Sequence, residues 1–310
     1  MEIFIEISII VAVTVVIASI VRMLKQPLII GYILTGVLVG PLVLNLVTST
    51  ETLSTFSHIG IALLLFTVGL GLDLKIIKHV GKVSLITGLG QVLFTSVAGF
   101  FIALTLGFST VTAIYIAVAL TFSSTIIIMK LLADKGDTET LYGKIAIGFL
   151  LVQDLVVILV LMTVSSLSGG FSVSELAFGL LVKSVGFLGA LYALSAYVLP
   201  KVLKSIAKSQ ELLLLFSIGW CLTIGSLSYY LGLSVEVGAL LAGVGLAMSP
   251  YRHEISSKMR PLRDFFIVIF FILLGSQMVF TDITQYLIPI AIFSAFILIG
   301  NPLIVVMLMG

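Results

Sequence analysis

The chain has 310 residues, of which 60% are apolar and only 10% are charged, and its mean hydropathy is +1.31. Soluble globular domains carry about 25% charged residues, so this composition excludes an ordinary soluble protein. A formal net charge of +2 gives no reason to expect a nucleic-acid partner, and a single cysteine excludes a disulfide framework. The chain is therefore predicted to be an all-α, polytopic membrane protein.

Apolar windows of about 20 residues recur along the whole chain, as expected of helices that cross a bilayer. They predict eleven transmembrane spans, with no soluble domain between them. In chain order, the predicted spans are Ile3–Val21, Leu28–Leu44, Leu53–Leu72, Val83–Leu106, Thr110–Leu132, Gly143–Ser165, Leu176–Leu199, Leu212–Leu231, Val235–Met248, Phe265–Phe280 and Tyr286–Met309.

The basic residues lie almost entirely in alternate links between the spans. The links after odd-numbered spans, together with the adjoining span ends that carry Lys130 and Lys144, hold fifteen of the sixteen Lys and Arg, and the links after even-numbered spans hold none. Cytoplasmic loops retain positive charge, so the basic links, including a predicted loop at 251–263, are expected in the cytoplasm. The N-terminus is then outside, and the expected location is the cell membrane, with the lipid bilayer around the spans. The remaining basic residue, Lys183, lies inside the seventh span.

Two glycine-rich segments indicate an internal repeat. Gly31–Val37 in the second span parallels Gly238–Val244 in the ninth at an offset of 207, and Gly69 parallels Gly275 at an offset of 206. The second and ninth spans enter the bilayer from opposite sides, which is the pattern of inverted-topology repeats in secondary transporters. The alternative is that the glycines only allow close helix packing. The shared offset favours the repeat.

The offset also predicts that the second copy is incomplete. A counterpart of Thr121–Thr125 would fall near position 328, beyond Gly310. We therefore expect residues 1–310 to form one transmembrane domain that is truncated at the C-terminus and lacks about two spans.

An acidic side chain lies at the centre of the sixth span. Asp154 follows Gln153 in the middle of Gly143–Ser165. An ionised carboxylate at that depth costs about 3 kcal/mol even on lenient insertion scales, and the default reason to retain one is ion transport. Asp154, with Gln153 beside it, is therefore the leading candidate for the ion- and proton-binding site.

The fifth span carries a polar interruption at a matching depth. Thr121, Ser123, Ser124 and Thr125 place four hydroxyls within five residues. At about 1.5 Å per residue, Ser123 lies about 20 Å from the outer end of its span and Asp154 about 15 Å from the inner end of the next, so the two can meet. Broken helices expose carbonyls and hydroxyls to ions, although such hydroxyls also bond back to the preceding turn. We interpret the cluster as part of the ion site.

Other embedded charges and other functions remain open at this point. Lys183 could pair with Glu236 at the start of the ninth span, or its ammonium could extend to the interface. A cation channel or a cation-coupled symporter could share the repeat and the broken helix. Neither the direction of coupling nor the choice between K⁺ and Na⁺ can be read from the residues. No cofactor, no resident metal and no enzymatic activity are expected.

Several motifs carry a family resemblance. They are Gly31–Pro41, Leu63–Leu70, Thr121–Thr125, Val152–Leu155, Gly238–Gly243 and Tyr251–Glu254. In this order and spacing, over essentially the whole chain, they resemble those of Kef-type monovalent cation:proton antiporters. The resemblance implies a fold of about thirteen helices, in which broken helices cross in a core domain and a second domain is often dimeric. The regulatory nucleotide-binding domain of Kef proteins is not expected within these residues.

The resemblance also assigns roles to residues. It maps the family's Gln-Asp pair onto Gln153 and Asp154 and its broken-helix motif onto Thr121–Thr125. It places Asn301, a candidate for supporting the core, in the region where electrogenic relatives carry a lysine. With one carboxylate, H⁺ and a monovalent cation compete for one negative charge, and no net charge crosses in a cycle. We therefore expect an electroneutral antiporter of K⁺ or Na⁺ against H⁺ that acts by alternating access as a homodimer.

Overall fold

Helices make up nearly all of the part of the chain that the structure describes, and that part contains no strand. The computed structural model describes residues 2–47, 49–71, 74–169, 173–278 and 283–309. The α-helices are, in chain order, α1 (Glu2–Met23), α2 (Leu28–Val39), α3 (Thr50–Gly71), α4 (Leu74–Thr105), α5 (Thr110–Ala119), α6 (Thr125–Lys135), α7 (Leu141–Gly169), α8 (Val173–Ala193), α9 (Leu199–Ile206), α10 (Gln210–Tyr230), α11 (Val235–Ala247), α12 (Arg252–Ser276) and α13 (Leu287–Met309). A π-helical segment, Leu194–Val198, joins α8 to α9, and a 3₁₀ turn, Ile283–Tyr286, precedes α13.

Two regions test the predicted boundaries most directly. The fifth predicted span consists of α5 and α6, and the chain leaves the helical conformation between them, where the hydroxyl cluster lies. The predicted basic loop at 251–263 is instead the first half of α12, so that prediction is wrong. Its buried residues Ile255, Met259 and Arg263 recur every four positions, the spacing of a helix that packs on one face. The basic residues of this segment therefore belong to an amphipathic helix.

The described helices differ in how far they could reach through a bilayer. Three apolar helices, α2, α5 and α11, have only 12, 10 and 13 residues. At about 1.5 Å per residue, each covers about half to two thirds of a hydrocarbon layer about 30 Å thick. The count of eleven spans stays a prediction. The segments that are long and apolar enough to cross are Ile3–Met23, Thr50–Gly71, Gly81–Thr105, Val182–Ile206, Gln210–Tyr230 and Leu287–Leu308.

The chain divides into two compact units. The first comprises residues 1–70 and 190–281, and the second comprises residues 71–189 and 282–310. Within the first unit, α2 packs along α12 and α1, and α10 packs along α11. Within the second unit, α4 packs along α7, α5 and α13. Helix α4 is therefore the element on which α5, α7 and α13 all pack.

Four glycines bring helix backbones of the first unit into direct contact. A Cβ on Gly36 of α2 would lie 2.8 Å from the Cα of Gly275 of α12, and a Cβ on Gly69 of α3 would lie 3.1 Å from the Cα of Gly243 of α11. At each of the four positions a Cβ would also overlap a carbonyl oxygen of the facing helix, so only glycine fits. The two contacts are related by the offsets of the predicted repeat, because position 36 corresponds to 243 and position 69 to 275.

Candidate ion-binding site

A break between two half-length helices is the first element of the candidate site. Helix α5 ends at Ala119, and Ser124 caps α6 by accepting a hydrogen bond from the Ile127 amide at 3.4 Å. Helix α6 runs to Lys135 and stops at Gly136, which has a left-handed backbone with φ of 75°. Serine is a preferred N-cap and left-handed glycine a preferred helix stop, so the local sequence fixes both ends of α6.

The carboxylate of Asp154 meets the start of α6. Thr125, the first residue of α6, donates its hydroxyl to Asp154 Oδ1 at 3.4 Å, and both residues are partly buried. The partial positive charge at the N-terminus of α6 and the Thr125 hydroxyl offset part of the cost of removing a carboxylate from water. The structure thus brings one of the four hydroxyls of the break directly to Asp154.

Gln153, the preceding residue on α7, is almost fully buried, with 2% of its surface exposed. Its Nε2 donates to Oε1 of Gln91 on α4 and, at 3.4 Å, to the backbone oxygen of Thr121 in the break. Its own Oε1 has no hydrogen-bond partner among the residues that the structure describes. Alkali cations that lose their hydration shell prefer such hard oxygen ligands. Gln153 therefore offers a buried, uncharged oxygen from the residue that precedes Asp154 in the sequence.

The other hydroxyls of the break occupy different positions. Thr121 is fully buried, and its hydroxyl donates to the carbonyl of Val118 at 2.6 Å, which is the expected alternative of a bond to the preceding turn. The backbone oxygen of Thr121, rather than its side chain, faces Gln153. Ser124 is exposed and caps α6, and Ser123 is partly exposed within the break. The hydroxyls of Thr121, Ser124 and Thr125 therefore have different hydrogen-bond partners.

A row of buried polar side chains on α4 is not among the site residues predicted from the sequence. Ser84, Thr87, Gln91 and Thr95 are 3%, 0%, 1% and 0% exposed, and they recur at intervals of three and four residues. Ser84 donates to the backbone oxygen of Ile145 on α7 at 3.3 Å. The helical spacing of four polar residues within an apolar span is the signal that could have identified them. This row faces the helix that carries Gln153 and Asp154.

Asn301 continues the polar row from α4 to α13. Its Oδ1 accepts a hydrogen bond from the Thr95 hydroxyl at 2.8 Å, and Thr95 accepts one from Gln91 Nε2 at 3.2 Å. The next residue, Pro302, lies inside α13 and has no N–H to donate. Asn301 therefore connects α13 to α4 through its side chain.

The proposed pairing of Lys183 with Glu236 stays a prediction. Lys183 is exposed on α8 in the second unit, and Glu236 is partly buried in the first turn of α11 in the first unit. Lys130 on α6 is buried, by contrast, and lies 2.8 Å from Asp134 one turn further along the same helix. A buried ammonium is compensated locally in this case.

Half-length helices that meet at a polar break, beside a carboxylate and a buried amide, form the type of ion site that secondary transporters use. With several helices long enough to cross a bilayer, the chain is a multi-pass membrane protein of this class. Comparison with known families is specific: the chain belongs to the sodium/hydrogen exchanger transmembrane family, whose family model matches residues 9–310.

Curated relatives include antiporters of potassium and of sodium. The glutathione-regulated potassium-efflux system protein KefC of Salmonella arizonae is 33% identical over 258 residues, which are 81% of this chain and 41% of that protein. The Na(+)/H(+)-K(+) antiporter GerN of Bacillus cereus is 25% identical over 285 residues, which are 91% of this chain and 73% of that protein. The resemblance to Kef-type antiporters is confirmed. The chain spans less than half the length of the curated potassium-efflux antiporters that it matches.

A solved structure shows the fold of the family. The sodium proton antiporter MjNhaP1 from Methanocaldococcus jannaschii matches with a TM-score of 0.67, covering 98% of this chain and 78% of that chain at 18% sequence identity. At this identity the likeness establishes the fold alone. The expected all-α antiporter fold is therefore confirmed at the level of overall architecture.

Proposed function

We propose that this chain exchanges a monovalent cation, K⁺ or Na⁺, for H⁺ by alternating access, with Asp154 as the group that binds both. The observation that carries the proposal is the hydrogen bond from Thr125 to Asp154, which puts the carboxylate at the start of α6 in the break. Relatives named as potassium and sodium antiporters support the same activity.

One ionised carboxylate is sufficient for this exchange. Asp154 binds either a proton or a cation, and each neutralises it. An uncompensated charge is costly to move through a low-dielectric interior, so the site changes its access only when it is occupied. Alternate occupation by H⁺ and the cation then moves no net charge. Because the adjacent Gln153 is neutral, we propose electroneutral exchange that the membrane potential does not drive.

The proposed cation ligands surround the break. Asp154 supplies the negative charge, the Thr125 hydroxyl supplies a neutral oxygen in contact with it, and Gln153 Oε1 supplies a buried neutral oxygen from the preceding residue. Ser123 and Ser124 are further candidates, because both lie between α5 and the first residue of α6. Hard oxygen ligands of this kind suit both K⁺ and Na⁺.

We also propose the inverted repeat and the orientation in the cell membrane. The repeat is supported by the two matched glycine contacts, Gly36 with Gly275 and Gly69 with Gly243, each of which joins one copy to the other. The external N-terminus is supported by the alternation of basic links. A homodimer, and a longer fold of about thirteen helices, are supported by the family resemblance.

Proton flux in sealed vesicles that contain the full-length protein tests the exchange. When K⁺ or Na⁺ is added outside acid-loaded vesicles, we expect the lumen to become alkaline, because cation entry is coupled to proton exit. Asp154→Asn keeps the size of the side chain but binds no proton, so its exchange should fall to the level of protein-free vesicles. Glu6→Gln is the matched control, because Glu6 is a buried acid of the first unit that accepts a hydrogen bond from the Ser49 amide at 3.2 Å. Its exchange should stay within about twofold of wild type.

Other outcomes of this experiment indicate other functions. Cation flux without proton movement would indicate a channel, and acidification of the lumen on cation entry would indicate symport. A folded Asp154→Asn variant that exchanges at the wild-type rate would contradict the proposed role of the carboxylate.

A further inference from the structure

A chain of three hydrogen bonds runs from the candidate ion site to α13. Gln153 Nε2 donates to Gln91 Oε1, Gln91 Nε2 donates to Thr95 Oγ1 at 3.2 Å, and Thr95 Oγ1 donates to Asn301 Oδ1 at 2.8 Å. Gln153, Gln91 and Thr95 are 2%, 1% and 0% exposed, and Asn301 is partly buried. Three helices, α7, α4 and α13, are thus linked by uncharged groups.

The direction of these bonds is set by the chemistry of the partners. The backbone oxygen of Thr121 can only accept, so the nitrogen of the Gln153 amide must lie on the side that faces the break and Gln91. Gln91 then presents its oxygen to Gln153 and its nitrogen to Thr95. Because Thr95 accepts from Gln91, its own proton goes to Asn301. Each bond therefore determines the orientation of the next side chain.

This direction leaves Gln153 Oε1 at the free end of the chain. The oxygen is buried, and no residue in the described part of the protein donates to it. An amide that donates through its nitrogen has a more polarised carbonyl, and successive hydrogen bonds reinforce that polarisation. A buried oxygen without a partner is costly unless another group binds it. Gln153 Oε1 is adjacent in sequence to the carboxylate that neutralises the cation.

We propose that Gln91, Thr95 and Asn301 are positioning residues that hold Gln153 Oε1 as a ligand of the transported cation. The inference rests on the proposed antiport and assigns separate roles to Asp154 and to the hydrogen-bond chain. Asp154 binds both the proton and the cation, whereas the hydrogen-bond chain strengthens the binding of the cation only. A neutral chain adds an oxygen ligand without adding charge, so the exchange stays electroneutral.

A purely structural link between the helices leads to a different expectation. Loss of such a link lowers the amount of folded protein or the maximal rate, but it leaves the relative affinities for cation and proton unchanged. Loss of a positioned ligand, by contrast, lowers the affinity for the cation and leaves the affinity for the proton unchanged. Because the two compete for Asp154, weaker cation binding shifts the acid limb of the transport profile to higher pH when the cation concentration is fixed.

Thr95→Val tests the proposal, because valine has the shape of threonine but breaks the chain at its middle. In vesicles that contain the full-length protein, we expect the apparent KM for K⁺ or Na⁺ to rise about tenfold with kcat within about twofold, as for the loss of one oriented polar ligand. At fixed cation the acid limb should move up by as much as about one pH unit, and a tenfold higher cation concentration should restore it. Thr95→Ser, which keeps the hydroxyl, should restore the wild-type KM.

Two further variants keep the test decisive. Thr105→Val, on the same helix, removes an exposed hydroxyl that bonds to the Ile102 carbonyl at 2.8 Å, and it should leave KM unchanged. If Thr95→Val does not fold, Asn301→Ala serves as the test variant instead, and the same rise in KM is expected. A fall in kcat with an unchanged KM and an unchanged pH profile would overturn the proposal. If Asp154→Asn also exchanged at the wild-type rate, the proposed antiport through Asp154 would itself be refuted. If Asp154→Asn were inactive while Thr95→Val kept the wild-type KM, only the positioning role of the hydrogen-bond chain would be refuted.

Discussion

The two compact units differ in how several of their buried polar side chains form hydrogen bonds. In the first unit, the buried hydroxyls of Thr14, Thr35, Ser57 and Ser217 donate to the backbone of their own helix at 2.6–2.8 Å, although that of Ser228 donates to the backbone oxygen of Ser234, which caps α11. In the second unit, the buried side chains of Ser84, Gln91 and Thr95 and the partly buried side chain of Thr125 bond from one helix to another, although buried Thr121 bonds to the turn before it. The same types of polar side chain thus bond mainly within one helix in these examples from the first unit, and between helices in those from the second.

This difference separates packing from ion chemistry. A hydroxyl that bonds to its own helix needs no hydrogen-bond partner on a neighbouring helix, so helices of the first unit can pack through glycine and aliphatic surfaces. A polar group that bonds to a second helix needs that partner in a fixed place, and it fixes the partner's orientation in return. Substitutions in the first unit should therefore change stability, whereas substitutions in the second should change how ions bind.

The largest effect is expected at a backbone contact of the first unit. In Gly243→Ala, the added Cβ overlaps the carbonyl oxygen of Phe66, so α3 and α11 must separate. Overpacking of this kind costs about 1–3 kcal/mol or more, and we expect a lower midpoint of thermal unfolding in detergent and a lower yield. Gly69→Ala, at the partner position, should cause a similar loss.

Gly219→Ala on α10 is the matched control, because nothing lies within 4 Å of a Cβ at that position. Alanine is favoured over glycine in a helix by about 0.5–1 kcal/mol, so this variant should be as stable as wild type or more stable. Equal losses in Gly243→Ala and Gly219→Ala would mean that the close backbone contact is not what holds the first unit together.

A second prediction introduces charge into the second unit. Gln153→Asp places a carboxylate beside Asp154, and one extra charge that crosses with each cycle is worth about 2.3 kcal/mol per 100 mV. Exchange by this variant should therefore respond to an imposed membrane potential, whereas wild-type exchange should not. Gln153→Asn, which stays neutral, should lower the rate without adding voltage dependence. Voltage-independent exchange by an active Gln153→Asp variant would argue against the single-charge account.

The sequence predicts those features that depend on local pattern. The polar interruption at Thr121–Thr125 matches the gap between α5 and α6, and the glycine-rich segments contain glycines that lie at close backbone contacts of the first unit. Features that depend on the packing partner are not visible in this way. The charged start of α12 resembles a loop until its buried face is known, and Gln91 looks like any polar residue in an apolar span until Gln153 is found beside it. Likewise, only the structure shows that Thr121 presents its backbone oxygen to the site.

The smallest effect is expected at Thr87, one turn before Gln91 in the polar row of α4. Thr87 is fully buried, and its hydroxyl has no hydrogen-bond partner among the residues that the structure describes. Replacing a buried, unsatisfied hydroxyl by a methyl group of similar shape is close to neutral or slightly stabilising. Thr87→Val should therefore unfold at the wild-type temperature or slightly above it and should keep the wild-type KM for the cation.

The contrast with Thr95→Val makes Thr87→Val informative despite its small effect. Both substitutions remove one buried hydroxyl from the same face of α4, two turns apart, but only Thr95 belongs to the chain that ends at Gln153. If buried polarity along α4 served the ion in general, both variants would weaken cation binding. A rise in KM that is confined to Thr95→Val would show that a directed sequence of hydrogen bonds, rather than the polarity of the row as a whole, acts on the cation.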